Sequence, residues 1–198
     1  MKITATDIKQ RFTINRLQSG HIIASESEYF RKPDLLTISN NLRVCEYEIK
    51  VSISDLRREL EYIETVIQDQ KDGVVYDLGG MTLFNSNYDH TSRKIRTGDN
   101  KYKKHRAYQF YKLRSGTALI GPVPNRFYFL IPDELFQKEQ ERLFKIPYYG
   151  VISADNFAIL KKCQSIHNDE ASPYMIWQAA RNIQYRYLSG GENEAINN

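Results

Sequence analysis

Cys45-Glu46-Tyr47-Glu48-Ile49-Lys50-Val51-Ser52-Ile53-Ser54-Asp55 is the stretch on which the fold turns. Side chains along a strand alternate between its two faces. Here the odd positions Cys45, Tyr47, Ile49, Val51 and Ile53 are apolar, while Glu46, Glu48, Lys50 and Ser52 are polar. The alternation predicts a half-buried strand within Leu42 to Ile53. It also sets two carboxylates and an ammonium in one row, about 7 Å apart per step. Ser52 and Asp55 stand at capping-box spacing and open a helix. Leu56, Leu60, Ile63 and Ile67 give that helix one apolar face as far as about Gln70.

Upstream, Pro33-Asp34-Leu35-Leu36-Thr37-Ile38 is a compact apolar run with an acid at its head. Ser39-Asn40-Asn41 is a turn signal, so this run and the strand after it are expected to form a β-hairpin. In such a hairpin Asp34 lies beside Glu48. Nearer the N-terminus, Thr4 and Asp7 mark a capped helix start, and Gly20 marks its end. His21 to Glu26 reads as a short strand.

Downstream, residues 71–100 carry turn signals and little periodicity: Asp72-Gly73, Gly79-Gly80, Asn85-Ser86-Asn87 and Gly98-Asp99-Asn100. An insertion at about 69–100 is expected, with Val74-Val75-Tyr76 and Met81 to Phe84 as strands of a small hairpin. Lys101 to Lys112 reads as a basic helix. Arg126-Phe127-Tyr128-Phe129-Leu130-Ile131 is a continuous apolar run, the pattern of a strand covered on both faces. A short helix from Pro132, a strand at Tyr149 to Ser153, a turn and edge strand within Asp155 to Leu160, and a helix from Ser172-Pro173 to about Leu188 complete the order. This order predicts one α/β domain over 1–189 with a mixed sheet, followed by a flexible tail at 190–198.

A chain of 198 residues, 41% hydrophobic and 26% charged, can bury a core, which sets it apart from disordered chains. Its apolar runs are all short of a membrane span, and its first residues lack an apolar leader, so a cytoplasmic protein with no membrane partner is expected. Two distant cysteines, Cys45 and Cys163, read as buried thiols rather than a disulfide framework or a zinc site. The net charge of +4 is unevenly spread: residues 93–114 hold nine Lys or Arg against Asp99 alone, so that block carries +8 and the rest −4. A local basic block suits a polyanion, nucleic acid being the commonest, and equally suits a solvated helix face.

Paired carboxylates from neighbouring strands suit Mg²⁺, which takes hard oxygen ligands and keeps several waters. An ion there polarises a phosphate oxygen and acidifies water, and Lys50 beside it can orient that water or stabilise charge on the phosphorane. For a bare Glu-x-Lys, an exposed strand face with ion pairs is the stronger reading. Pro33-Asp34 followed by Glu48-Ile49-Lys50 and a capped helix resembles the PD-(D/E)XK nuclease superfamily. Glu48 to Leu56 is similar to the Glu-x-Lys-x-Ser-x-x-Asp pattern of its MmcB-type and VRR-NUC-like branch. Lys104-His105, Pro124 to Pro132 and Ile146 to Ile152 match that branch's later landmarks.

The resemblance implies a restriction-endonuclease-like core, with a central mixed β-sheet flanked by helices. It implies a Mg²⁺- or Mn²⁺-dependent deoxyribonuclease, serving DNA repair, recombination or phage DNA processing. Asp34, Glu48 and Lys50 would be catalytic, with Asp34, Glu48 and the carbonyl of Ile49 at the metal. Lys101, Lys103, Lys104, His105 and Arg106 would contact DNA. Glu28, Glu46, Ser52 and Asp55 are candidates for the surrounding shell; the branch's helical acid maps to Glu26 or Glu28, and Glu46 reads equally as a solvated rim residue. The C-terminal helix has no counterpart in the branch, and the stretch from about Gln68 to Asn100 is longer than the branch implies, a candidate flap over the site or protein-binding surface. A homodimer, a catalytically silent DNA- or protein-binding module, and a structural module with an incidental charged face stay open.

Overall fold

The computed structural model describes residues 3–25, 33–71, 75–76, 95–96, 124–146, 148–166 and 168–195. Its centre is a six-stranded mixed sheet in the order β1-β2-β3-β6-β7-β8. The strands are β1 (Ile22–Ala24), β2 (Leu35–Ile38), β3 (Val44–Ile49), β6 (Arg126–Ile131), β7 (Gly150–Ser153) and β8 (Ile159–Lys161). The three central strands β3, β6 and β7 run parallel, and antiparallel neighbours flank them on both sides. Four helices lie around the sheet among the described residues: α1 (Ala5–Gln18), α2 (Ile53–Lys71), α3 (Asp133–Lys145) and α4 (Pro173–Ala195). The α/β class and the expected β2–β3 hairpin are both present.

Local chemistry accounts for the ends of the elements. Thr4 caps α1 with a reciprocal capping box to Asp7, and Gly20 follows its end in the left-handed region at φ 75°. Ser52 Oγ accepts the Asp55 N–H at 3.2 Å, and Ser172 Oγ accepts that of Met175 at 3.2 Å, so both predicted serine caps work. Asn125, in the Pro124-Asn125 landmark, is a bracket: its Oδ1 accepts the Val44 N–H at 2.7 Å and its Nδ2 donates to the Asp169 carbonyl at 2.8 Å. That bracket fixes where β6 meets β3.

Leu56, Leu60 and Ile63 of α2 pack with Phe127, Phe129, Ile131 and the α3 residues Leu135, Phe136 and Leu143 on one face. Ile8 and Phe12 of α1 pack with Leu35, Tyr47, Ile49, Tyr128 and Leu130 on the other. Ala179 of α4 closes a third cluster over Leu36, Ile38 and Val44. The tail of β3's apolar row divides: Val51 packs on the α1 side, whereas Ile53, already in α2, packs on the α2 side.

Several boundaries differ from expectation. The helix after Pro132 is 13 residues long, because Leu135, Phe136, Glu139 and Leu143 give it a full buried face. Helix α4 continues to Ala195, past Gly190-Gly191. Helix α2 enters the expected insertion as far as Lys71. Beyond it, β4 (Val75–Tyr76) pairs in parallel with β5 (Ile95–Arg96), and the expected partner segment at 81–84 lies outside the described residues. The expected basic helix at 101–112 also lies outside them. Among the described residues no helix is long and apolar enough to cross a membrane. Cys45 and Cys163 are free thiols, each partly buried.

Candidate active site

The hairpin register sets Leu35 opposite Tyr47 and Leu36 opposite Glu46. Continued by one residue, it sets Asp34 opposite Glu48 on the same face. A direct bond fixes this: Asp34 Oδ2 accepts the backbone N–H of Ile49 at 2.8 Å. Asp34, Glu48, Ile49 and Lys50 are therefore brought together at the end of the β2–β3 pair.

Glu46, Glu48 and Lys50 share a face, as the alternation predicted, but that face is not exposed. Glu46 is 3%, Glu48 9% and Lys50 6% exposed. The expected half-buried strand is covered on both sides, because α2 and α4 pack over the polar row as α1 packs over the apolar one. The solvated-rim reading of Glu46 is accordingly incorrect.

Lys50 Nζ is the hub. It lies 3.1 Å from Glu48 Oε1, 3.4 Å from Asp55 Oδ2 and 3.5 Å from Glu59 Oε2. Burial works against its charge, yet Glu48, then Glu59 and Asp55, outweigh that and raise its pKa above the ordinary lysine value. Lys50 is thus a fixed cation, suited to holding charge rather than to removing a proton. The pKa of Asp34 is raised as well, first by burial and then by the negative charge of Glu48, against the Ile49 hydrogen bond and the charges of Lys50 and Lys9.

Asp55 also pairs with Arg58. Among the described residues, Glu48, Asp55 and Glu59 gather on Lys50, with Asp34 beside Glu48. Burying ionised groups is costly even when they are paired. Such a set is expected where function, not stability, keeps the charges.

The Mg²⁺ that the resemblance implies fits the hard carboxylate oxygens of Asp34 and Glu48. A divalent cation beside Asp34 would offset the burial and the Glu48 charge that oppose its ionisation. Among the described residues no group of three His, Cys, Asp or Glu side chains is gathered for a metal. An ion here would have two carboxylate ligands and depend on a carbonyl and water for the rest, which suits Mg²⁺ better than a cage-seeking ion.

Glu59 is the site residue that sequence reasoning missed. Its signal was present: it falls on the apolar face of α2 between Leu56, Leu60 and Ile63, where a carboxylate has no reason to be unless it has a partner. Glu139 gives the same signal on α3, but its partners Arg57, at 2.6 Å, and Arg142, at 3.3 Å, make it a strap between α2 and α3. The remaining candidates, Glu26, Glu28, Lys101, Lys103, Lys104, His105 and Arg106, lie outside the described residues. Compared with protein-family models, with curated proteins and with solved structures, the chain matches none.

Proposed function

We propose that this chain is a metal-dependent deoxyribonuclease of the PD-(D/E)XK type, with Asp34, Glu48 and Lys50 as its catalytic set. The observation that carries the reading is the buried, acid-rich row at the end of the β2–β3 hairpin, with Asp34 tied to Ile49 and Lys50 charged beside Glu48. A solvated ion-pair face would leave these groups in water; here two helices and a second strand surround them.

When bound, Mg²⁺ or Mn²⁺ would supply charge to the phosphate oxygens and an acidified water. Asp34 and Glu48 would hold it, with the Ile49 carbonyl. One oxygen of Asp34 accepts the Ile49 N–H and one of Glu48 accepts from Lys50, which fixes both carboxylates in place. Lys50 would stabilise charge growing on the phosphate and orient the nucleophile. Glu59 and Asp55 position Lys50 and keep it protonated.

The test is incubation with single-stranded, duplex and branched DNA in the presence of Mg²⁺ or Mn²⁺, for the parent chain and for Glu48→Gln. Cleavage by the parent and its loss in the variant support the reading. Equal cleavage by both, or none by the parent under any metal, counts against it.

A further inference from the structure

We propose that the cleft between α1 and α4 is a binding groove for a single nucleic-acid strand, in which Lys9 and Arg186 contact phosphates beside the Asp34 end of the site. This rests on the nuclease reading and names a substrate contact surface for it.

The cleft has a volume of about 250 Å³. Lys9, Gln10 and Thr13 of α1 form one wall and Asn182 and Arg186 of α4 the other, with the β1 edge and Leu35 lining the cleft between them. Leu35 follows Asp34 at the head of β2, but its side chain faces α1 while Asp34 faces the other side with Glu48, so the cleft lies near the site across the edge of the sheet. The charged side chains lining it are both cations, Lys9 and Arg186. This is the reverse of the neighbouring acidic site. The charge of Lys9 reaches Asp34 and lowers its pKa, which puts the basic wall within electrostatic range of the catalytic set.

Gln10, Thr13 and Asn182 add neutral hydrogen-bonding groups between the cations. Asn182 Oδ1 is buried and has no hydrogen-bond partner among the described residues. A buried amide oxygen left so is costly unless a ligand's donor reaches it. A phosphate has no donor, but a base edge or a sugar hydroxyl does. Cations for phosphate and a neutral acceptor for a base or sugar, side by side, describe a nucleotide unit rather than a free anion. The volume is below the usual range for whole small-molecule pockets, about 300–1,000 Å³, and suits a segment of one strand.

The test measures binding without cleavage. Glu48→Gln chain is titrated, by fluorescence anisotropy over a series of salt concentrations, into a fluorescein-labelled oligothymidylate. Lys9→Gln and Arg186→Gln are then added singly, with Lys138→Gln on α3 as a control. Each cleft variant is expected to weaken binding several-fold and to reduce the slope of log affinity against log salt by about 0.7, one single-strand phosphate contact. The control leaves both unchanged. No binding by the Glu48→Gln parent, or cleft variants that match the control, overturns the proposal. Cleavage by the native chain is scored separately: cleft-dependent binding without cleavage sinks the nuclease reading alone, and cleavage with indifferent cleft variants sinks the groove alone.

Discussion

Asp34 Oδ2 accepts the Ile49 N–H at 2.8 Å, so the carboxylate at the head of one strand is locked to the backbone between Glu48 and Lys50 on the next. The bond holds Asp34 opposite Glu48 in spite of their mutual repulsion. It lowers the pKa of Asp34, but burial and Glu48 prevail and the group stays raised.

This makes the ionised Asp34 a cost to stability. A carboxyl whose folded pKa exceeds its unfolded value binds protons more tightly when folded, so stability falls as pH rises from the ordinary carboxylate range through the raised value. Asp34→Asn keeps an acceptor for Ile49 and removes the charge. The variant is expected to lose DNA cleavage and to gain on the order of 1 kcal/mol of stability at neutral pH. The gain is expected to vanish below about pH 4, where aspartic acid is protonated in any case. Urea unfolding at the two pH values checks this; equal stability at neutral pH would refute it.

Lys50 has the opposite sign. Its removal leaves Glu48 and Glu59 buried without their shared cation. Lys50→Ala is therefore expected to cost about 3–5 kcal/mol as well as activity. Lys50→Ala with Glu59→Ala is expected to recover part of that loss and none of the activity. Because the folded pKa of Lys50 is raised above 10.5, its stabilisation is fully present below that value and disappears only as pH climbs through the raised one. Denaturant midpoints of the parent and both variants decide the point. A double variant no more stable than Lys50→Ala would show that Glu59 is not balanced by Lys50.

The β6 run was legible residue for residue, because a strand covered on both faces has no alternation to misread. The faces of β3 were legible too, as was the pairing that brings Asp34 to Glu48. The burial of the polar face was not. Alternation records which side chains share a face, and it says nothing of whether α2 and α4 will cover that face. The neighbouring face of β2 and β3 is covered from more than 100 residues away in sequence, by Ala171 and Ala179 over Leu36, Ile38 and Val44. Glu59 was hidden for a related reason: a charged residue in an apolar stripe announces a partner without naming it. The partner of Glu59 is the site lysine, whereas that of Glu139 is an interhelical arginine.

Gly150 tests the seam between β6 and β7. It pairs with Tyr128, and a Cβ at Gly150 would stand 2.4 Å from the Tyr128 ring and 2.8 Å from the Cys163 backbone nitrogen. The ring is itself packed between Tyr47 and the α1-side core, so it has little room to withdraw. Gly150→Ala is expected to destabilise the fold by about 1–3 kcal/mol through overpacking. Tyr128→Leu in the same background is expected to restore part of it. Thermal denaturation of the three variants checks both; a Gly150→Ala chain as stable as the parent would mean the ring moves freely.

The metal reading makes a prediction that needs no substrate. If a divalent cation is held between Asp34 and Glu48, it binds the folded chain and not the unfolded one, and it stabilises by mass action. At a hundredfold excess over its dissociation constant, Mn²⁺ is expected to add about 2.7 kcal/mol. The same addition to Glu48→Gln is expected to do little, since one of only two side-chain ligands has become neutral. In Asp34→Asn the metal-free chain starts out more stable, so the two curves converge: the variant has the higher melting temperature without metal and loses that lead as Mn²⁺ is raised for the parent. Calcium is the informative competitor, because it takes more oxygen ligands than two carboxylates and a carbonyl provide. Calorimetric scans with Mg²⁺, Mn²⁺ and Ca²⁺ on the three chains would show this crossing. A Mn²⁺ shift of the same size in parent and Glu48→Gln would place the ion elsewhere and leave Asp34 and Glu48 without their proposed role.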